Sequence, residues 1–383
     1  MPHCNKQMIS FFLTTKCRLR CTYCYNQAER EKLEEKSLPL QIAKAGIDEY
    51  FANNDSRHIR FYGPGEPTEE FELMQQITDY ARQKSGNVAI TTELQTNGTF
   101  SSNIRDWILK NIDIVWISFD GTPEFHDKQR PFVDNAPSSP IIEDNIKWLL
   151  NNKGEQKLMV GGRVTITDLN NEHQKQMVDY FKKMGIKHVW SDPEFPPVGK
   201  KPFCHDKKAQ ARYHFNMDDY VKNYVEAYRY AKQKGVFYGS FLACNFDSIT
   251  KINCRCCTPV PHLTPDGYVS ACDLVVFGAK AKHMKCFIYG RYDKVTKKFK
   301  YYPETLKALQ DRNVDNLIHC QNCPVKLHCS GYCPGEVVNE TGKLDGVKPY
   351  ACNAVRKLYK ELYNEITEDL KSEKDGLYPY PHP

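Results

Sequence analysis

Three cysteines stand close together in Lys16-Cys17-Arg18-Leu19-Arg20-Cys21-Thr22-Tyr23-Cys24-Tyr25, at spacings of x3 and x2. Three such thiolates can hold three irons of a cubane and leave the fourth iron open to another ligand. A structural zinc ion wants four protein ligands in a closed tetrahedron, and this loop offers three cysteines with no nearby histidine. A second field begins with Cys257-x9-Gly267-x4-Cys272. It continues as Cys320-x2-Cys323-x5-Cys329-x3-Cys333, and Cys352 follows after eighteen residues. Cys320-x2-Cys323 taken alone would suit a zinc ribbon or knuckle. The chain has 16 cysteines, and in a reducing compartment such usage points to metal or catalysis before disulfides.

The elements that must position these groups alternate. Apolar, β-rich runs fall near Met8–Thr14, His58–Tyr62, Ala89–Gln95, Ile114–Phe119, Leu158–Ile166 and His188–Trp190. Amphipathic stretches lie between them at Leu40–Phe51, Glu69–Arg82, Ser102–Leu109, Ile141–Leu150 and Asn171–Met184. Met177, Val178, Phe181 and Met184 share one helical face of the last of these. Strands alternating with helices predict a parallel α/β sheet, here an open, partial (β/α)6 barrel. The first cysteine loop follows the first strand, at the end where such barrels build active sites.

The prolines of Pro193–Pro202 read as a linker, followed by a helix over about Ala209–Lys234 that ends at Gly235. Beyond Cys244 the pattern changes to short strands and turns, with a hairpin through Pro265-Asp266-Gly267 and a last helix over about Tyr350–Lys371. The reading divides the chain into a barrel (1–200), a bridging helix and linker (201–243), and a cysteine-rich region with its helix and tail (244–383). The Pro/Tyr-rich end, Tyr378-Pro379-Tyr380-Pro381-His382-Pro383, reads as a flexible tail. Cys4, Cys204, Cys244, Cys256 and Cys286 have no assigned role and default to small hydrophobes.

Composition narrows the class. The 383 residues are 40% hydrophobic and 26% charged, ordinary for a folded protein. Lys+Arg 53 against Asp+Glu 47 gives a net charge of +6 with no long basic tract, which speaks against nucleic acid as the partner. No apolar run approaches the ~18 residues of a membrane span, and no signal peptide opens the chain, so a cytoplasmic protein is expected.

The first loop resembles the defining motif of the radical S-adenosylmethionine enzymes, with an aromatic residue, Tyr23, before the last cysteine. The resemblance implies that Cys17, Cys21 and Cys24 bind a [4Fe–4S] cluster whose open iron chelates S-adenosylmethionine. Cleavage of that cofactor would yield a 5′-deoxyadenosyl radical that abstracts hydrogen from substrate. Gly63-Pro64-Gly65-Glu66-Pro67 is similar to the family's Gly-Gly-Glu-Pro segment, with Pro64 in place of the first glycine. Gln95-Thr96-Asn97-Gly98 is similar to the next strand end. Ser118-Phe119-Asp120-Gly121 with His126-Asp127 and Arg130 resembles a pattern of peptide- and protein-modifying members. The implied cofactor contacts are Tyr23, Gly65, Glu66, Asn97, Ser118 and Arg130; a guanidinium suits the cofactor's carboxylate. Taken singly, Ser118 is a satisfied strand-end hydroxyl and Arg130 a surface ion pair.

The second cysteine field resembles the SPASM extension, which in its family binds two auxiliary [4Fe–4S] clusters. The interleaved pattern implies Cys257, Cys272 and Cys333 for cluster one, and Cys320, Cys323, Cys329 and Cys352 for cluster two. The upstream cysteine of cluster one should fall at Lys251, where the match breaks. Cys254 is the candidate in its place, with Cys256, Cys244 or an open iron as alternatives. Asp273 follows Cys272, where anaerobic sulfatase-maturing enzymes have an aspartate that acts as a base; the other reading is a solvated turn residue.

The family implies an oxidoreductase acting on a ribosomally made peptide or protein side chain by cross-linking, oxidation or epimerisation. The alternatives are an anaerobic sulfatase-maturing enzyme, a radical dehydrogenase of a small molecule, and a non-catalytic metal scaffold. The implied partners are a peptide or protein substrate and a flavodoxin- or ferredoxin-type reductant. Only about seven residues precede the first strand, so a peptide's leader would be bound by the barrel mouth, the SPASM region or a separate leader-peptide-binding protein.

Overall fold

The structure is a computed structural model describing residues 8–26, 35–195, 216–275 and 277–372. Cys4, Cys204, most of the expected linker and the Pro/Tyr tail lie outside the described residues. Six strand–helix units open the chain. Strand β1 (Ile9–Phe12) leads to α1 (Leu40–Asn53), β2 (His58–Tyr62) to α2 (Phe71–Ser85), and β3 (Thr91–Thr96) to α3 (Ser102–Asn111). β4 (Ile114–Ser118) is followed by α4 (Pro123–Gln129) and α5 (Ser139–Asn152), and β5 (Met159–Ile166) by α6 (Gln174–Met184). β6 (His188–Pro193) precedes α7 (Met217–Gln233).

All six strands pair in parallel and in chain order. The apolar runs become central strands because helices cover them: Ile9, Phe11, Ile59, Phe61, Leu94, Val115 and Ile117 are fully buried. Helix α1 turns Ile42, Ala43, Gly46, Ile47 and Tyr50 inward, one face of a 3.6-residue period. A side chain at Gly46 would meet Leu263 Cδ1 at 2.5 Å, so only glycine lets the helix lie this close to its neighbouring strand.

A seventh parallel strand, β7 (Phe237–Gly239), joins β6 beyond the six read from the sequence. Three residues carry too little alternation to announce a strand; tertiary contacts make this one. Asn216 caps α7 by accepting from the backbone of Asp218 and Asp219. On its buried face the Tyr220 hydroxyl donates to Ser191 O, and that of Tyr224 to Tyr238 O, which ties the helix to β6 and β7.

The other edge of the barrel sheet is extended by the cysteine-rich region. β8 (His262–Leu263) lies parallel to β1, and β9 (Tyr268–Ser270) returns antiparallel through the expected hairpin, with Gly267 at φ +83°. β10 (Ile288–Asp293) and β11 (Lys298–Tyr301) complete one continuous sheet of eleven strands, in the order β11-β10-β9-β8-β1-β2-β3-β4-β5-β6-β7. Four helices follow: α8 (Pro303–Gln310), α9 (Lys326–Cys329), α10 (Pro334–Thr341) and α11 (Pro349–Ser372). The last matches the expected helix. The cysteine-rich region is thereby hydrogen-bonded to the barrel's first strand.

Candidate active site

A cavity of about 500 Å³ opens where the parallel strands end. Cys17, Cys21, Cys24 and Tyr23 line it from the loop after β1, Gly65 and Glu66 from that after β2, and Asn97, Ser118 and Arg130 from the next two. Every residue expected at the cofactor faces this one space, and so does Asp273.

The loops are locked together by hydrogen bonds that explain their residue types. Gly65 N–H donates to Thr14 O (3.0 Å) and Glu66 N–H to Lys16 O (2.8 Å), stapling the second loop onto the cysteine loop. A Cβ at Gly65 would collide with the Lys16 and Thr14 carbonyls, so the position admits glycine alone. Buried Glu66 spends its oxygens inside the protein. It accepts from Thr68 N–H, the Thr68 hydroxyl (2.8 Å), the Thr96 hydroxyl (2.6 Å) and Asn97 N–H (2.6 Å). Burial raises its pKa and these bonds oppose the rise. Its side chain therefore fixes the β3 end and leaves contact with a ligand to the backbone.

Asp120, quoted in the sequence motif but assigned no role there, is the hub of the opposite wall. It is fully buried, and its Oδ2 accepts from Tyr23 Oη (2.6 Å), Gln129 Nε2 (2.9 Å) and Arg130 Nε (3.0 Å); Oδ1 accepts from Thr165 N–H (3.0 Å). The Arg130 guanidinium also lies over the Tyr23 ring at 5.2 Å. Behind it, His126 Nδ1 accepts from Asp120 N–H, Nε2 pairs with the Ser138 hydroxyl, and that hydroxyl donates to Arg130 O. Arg130 is thus held from both its head and its backbone.

Asn97 Nδ2 lies 3.7 Å from Cys17 Sγ, and Arg130 Nη1 lies 3.8 Å from Cys21 Sγ. Donors aimed at sulfur stabilise a thiolate, as an iron–sulfur ligand requires. Burial pushes the Cys21 thiol up to about 12, against the pull of Arg130, so a bound metal would have to displace its proton. The donor set fits a three-cysteine cluster. Asn26 Oδ1 and His262 Nδ1, both buried in the cavity wall, make no hydrogen bond.

Asp273 lies in a clamp of charges. Arg60 Nη1 is 3.2 and 3.3 Å from its two oxygens, Arg255 Nη2 3.0 Å from Oδ2, and His262 Nε2 3.6 Å from Oδ1. Burial would raise its pKa, but the guanidinium charges outweigh this and hold it well below the usual carboxylate range. A carboxylate so stabilised is a weak proton acceptor. The side chain is paired and faces the cavity. Arg60 was legible as an oddity, a charge within the apolar strand His58–Tyr62.

The second cysteine field divides between two spaces. Cys254, Cys256, Cys272 and Cys333 line the main cavity, as does Cys244. The Cys254 charge acts on both Cys272 and Cys333. Buried Cys257 sets its Sγ 3.7 Å from that of Cys256. A separate pocket of about 200 Å³ is lined by Cys320, Cys323, Cys329 and Cys352 together. The four thiols come from a turn, a short helix and the start of α11.

A parallel partial barrel with a three-cysteine loop at its strand ends defines a class of cofactor enzymes. Residues 11–190 match the Radical SAM superfamily profile, so this part of the chain is similar to radical SAM enzymes. The chain is 26% identical to a cysteine-type anaerobic sulfatase-maturating enzyme of Clostridium novyi over 54% of each chain. It is 22% identical to the radical SAM cyclopropyl synthase TigE of Paramaledivibacter caminithermalis, over 95% of this chain and 74% of that one. The first curated relatives are matched over 60% and 54% of their own length. Among solved structures, native anSMEcpe with bound AdoMet and the Cp18Cys peptide superposes with a TM-score of 0.74 at 17% identity, covering 96% of this chain and 99% of that one. No helix among the described residues is long and apolar enough to cross a membrane.

Proposed function

We propose that the enzyme modifies a side chain of a peptide or protein by radical hydrogen abstraction, and that it carries three [4Fe–4S] clusters. The observation that carries this reading is the shared cavity, in which the Cys17/Cys21/Cys24 loop faces Cys254, Cys272 and Cys333 across one 500 Å³ space. When bound, S-adenosylmethionine and the first cluster would supply the 5′-deoxyadenosyl radical. Gly65 would present backbone, Arg130 a guanidinium for the carboxylate, Asn97 and Ser118 polar edges, and Tyr23 the wall that orients Arg130. Cys254 would complete auxiliary set one with Cys257, Cys272 and Cys333. Cys320, Cys323, Cys329 and Cys352 would hold set two.

Tyr62, Trp190, Phe195 and Phe241 line the cavity with aromatic rings. Asn26 Oδ1 and His262 Nδ1, both orphaned, offer hydrogen bonds to a substrate amide. The fold shared with a peptide-bound structure supports a peptide substrate by analogy. The sulfatase-maturase reading is favoured by the position of Asp273, but the Arg60–Arg255 clamp opposes its use as a base. The division into residues 1–200, 201–243 and 244–383 follows the same proposal. So do a cytoplasmic location, a flavodoxin- or ferredoxin-type reductant and a separate leader-binding protein.

The test is anaerobic co-expression with each short open reading frame flanking the gene, followed by intact-mass and fragment mass spectrometry. Growth in deuterated solvent would reveal epimerisation. A change confined to one peptide and lost in Cys17→Ala supports the reading. Peptides that all emerge unmodified contradict it.

A further inference from the structure

Arg312 lies just after α8. It is 3% exposed. Its Nε donates to Leu344 O (2.9 Å), and Nη2 to Gly331 O (2.8 Å) and Tyr332 O (3.3 Å). Nη1 has no hydrogen-bond partner. Besides these carbonyl bonds it meets the Cys257 thiol, and no carboxylate pairs with it among the described residues. Gly331, at φ +84°, lies against the guanidinium, and a Cβ there would fall 3.5 Å from Nη1. Gly331 also lines the Cys320/Cys323/Cys329/Cys352 pocket.

A guanidinium cannot shed its proton, and a buried charge without a counter-charge costs several kcal/mol. Something anionic should face it. Its bonds to Gly331 O and Tyr332 O hold it against the segment that runs from Cys329 of one proposed set to Cys333 of the other. Four thiolates outweigh the positive core of a cubane, so a four-cysteine cluster is an anion in both oxidation states.

We propose that Arg312 is the shared counter-cation of the two auxiliary cluster sites, a positioning residue that raises the reduction potentials of both. The inference rests on the cluster reading above. A fixed positive charge favours the more negative, reduced state of each cluster. The carbonyl bonds keep the guanidinium against the segment that joins the two sets, where one charge serves two anions.

The test uses full-length enzyme carrying Cys17→Ala, Cys21→Ala and Cys24→Ala, so that signals come from auxiliary clusters alone. Iron content and EPR-monitored potentiometry are compared for this protein and for Arg312→Gln and Arg312→Lys in the same background. The expected result is full loading of the parent, a downward shift of both midpoint potentials in Arg312→Gln, and smaller shifts in Arg312→Lys. Unchanged potentials in a loaded Arg312→Gln protein, or a shift in only one cluster, overturn the inference. If Arg312→Gln takes up no iron, Arg312→Lys decides. Loading restored by the charge supports the inference, and failure of both variants assigns Arg312 to the fold alone and overturns it. A parent without auxiliary iron refutes the cluster reading itself, and the inference falls with it.

Discussion

Arg60 reaches from the second barrel strand to Asp273, with Nη1 3.2 Å from Oδ2 and 3.3 Å from Oδ1. Arg60 Nε also lies 3.6 Å from Glu93 Oε1, and His58 Nε2 lies 3.1 Å from Glu93 Oε2. The guanidinium stacks on the Tyr62 ring at 4.1 Å. A row of charges thus crosses from the barrel interior into the cysteine-rich region and keeps Asp273 ionised.

Breaking this row should destabilise the protein. Asp273→Asn removes the carboxylate that Arg60 and Arg255 share and leaves Arg60 only the longer contact with Glu93, and loss of one partner of a buried pair costs about 3–5 kcal/mol. The lower end is expected, because the carboxylate is 28% exposed to the cavity. Urea denaturation of protein in one cluster state measures it. In a double-mutant cycle, Arg60→Met with Asp273→Asn should cost less than the sum of the two single changes.

Gly65→Ala should disrupt the cofactor site without unfolding the barrel. The added carbon meets Thr14 O at 2.7 Å and collides with Lys16 O, forcing the second loop off the cysteine loop. Anaerobic calorimetry should show S-adenosylmethionine binding weakened by at least about tenfold, or ~1.4 kcal/mol. The far-ultraviolet circular dichroism should stay as in the parent.

Asp120→Asn tests the hub of the opposite wall. The substitution removes the charge that Tyr23, Gln129 and Arg130 share, and a hydrogen bond to a charged group is worth about 1.5–3 kcal/mol. The expected result is S-adenosylmethionine affinity lowered about ten- to a hundredfold with iron content retained. Unaltered affinity would show that Arg130 needs no anchor.

His126 supplies a pH dependence of stability. Burial lowers its pKa from 6.5 to about 4, so the folded protein holds the ring neutral where the unfolded chain protonates it. The unfolded state therefore binds more protons between these values, and stability falls as pH drops from 6.5 towards 4. The loss is about 3 kcal/mol over the whole window. Thermal midpoints at pH 7 and pH 5 should differ by less in His126→Phe than in the parent.

Much of this site is legible in sequence because its parts lie at strand ends in chain order. Cys17, Gly65 and Asn97 each follow a strand and Ser118 ends one, and a parallel sheet brings consecutive strand ends to one rim. What escaped lies in tertiary pairing. Arg60 meets Asp273 only because β8 docks beside β1, a contact between residues more than two hundred positions apart. Asp120 sits in a quoted motif, but its role as a hub appears only when Tyr23, Gln129 and Thr165 converge on it. β7 has three residues and is fixed by the tyrosines of α7. Cys254 stands as the candidate beside Cys256 and Cys244, all three of which line the cavity, since the break at Lys251 removes the register that spacing needs.

The most direct measurement follows hydrogen from the peptide to the cofactor. The peptide identified by co-expression is made in deuterated medium and incubated anaerobically with reconstituted enzyme, S-adenosylmethionine and reductant in ordinary water. Mass spectrometry then reads the 5′-deoxyadenosine released. The account predicts deuterium in that product, in step with peptide modification, and neither in Cys17→Ala. Modified peptide accompanied by 5′-deoxyadenosine that carries no deuterium would contradict it.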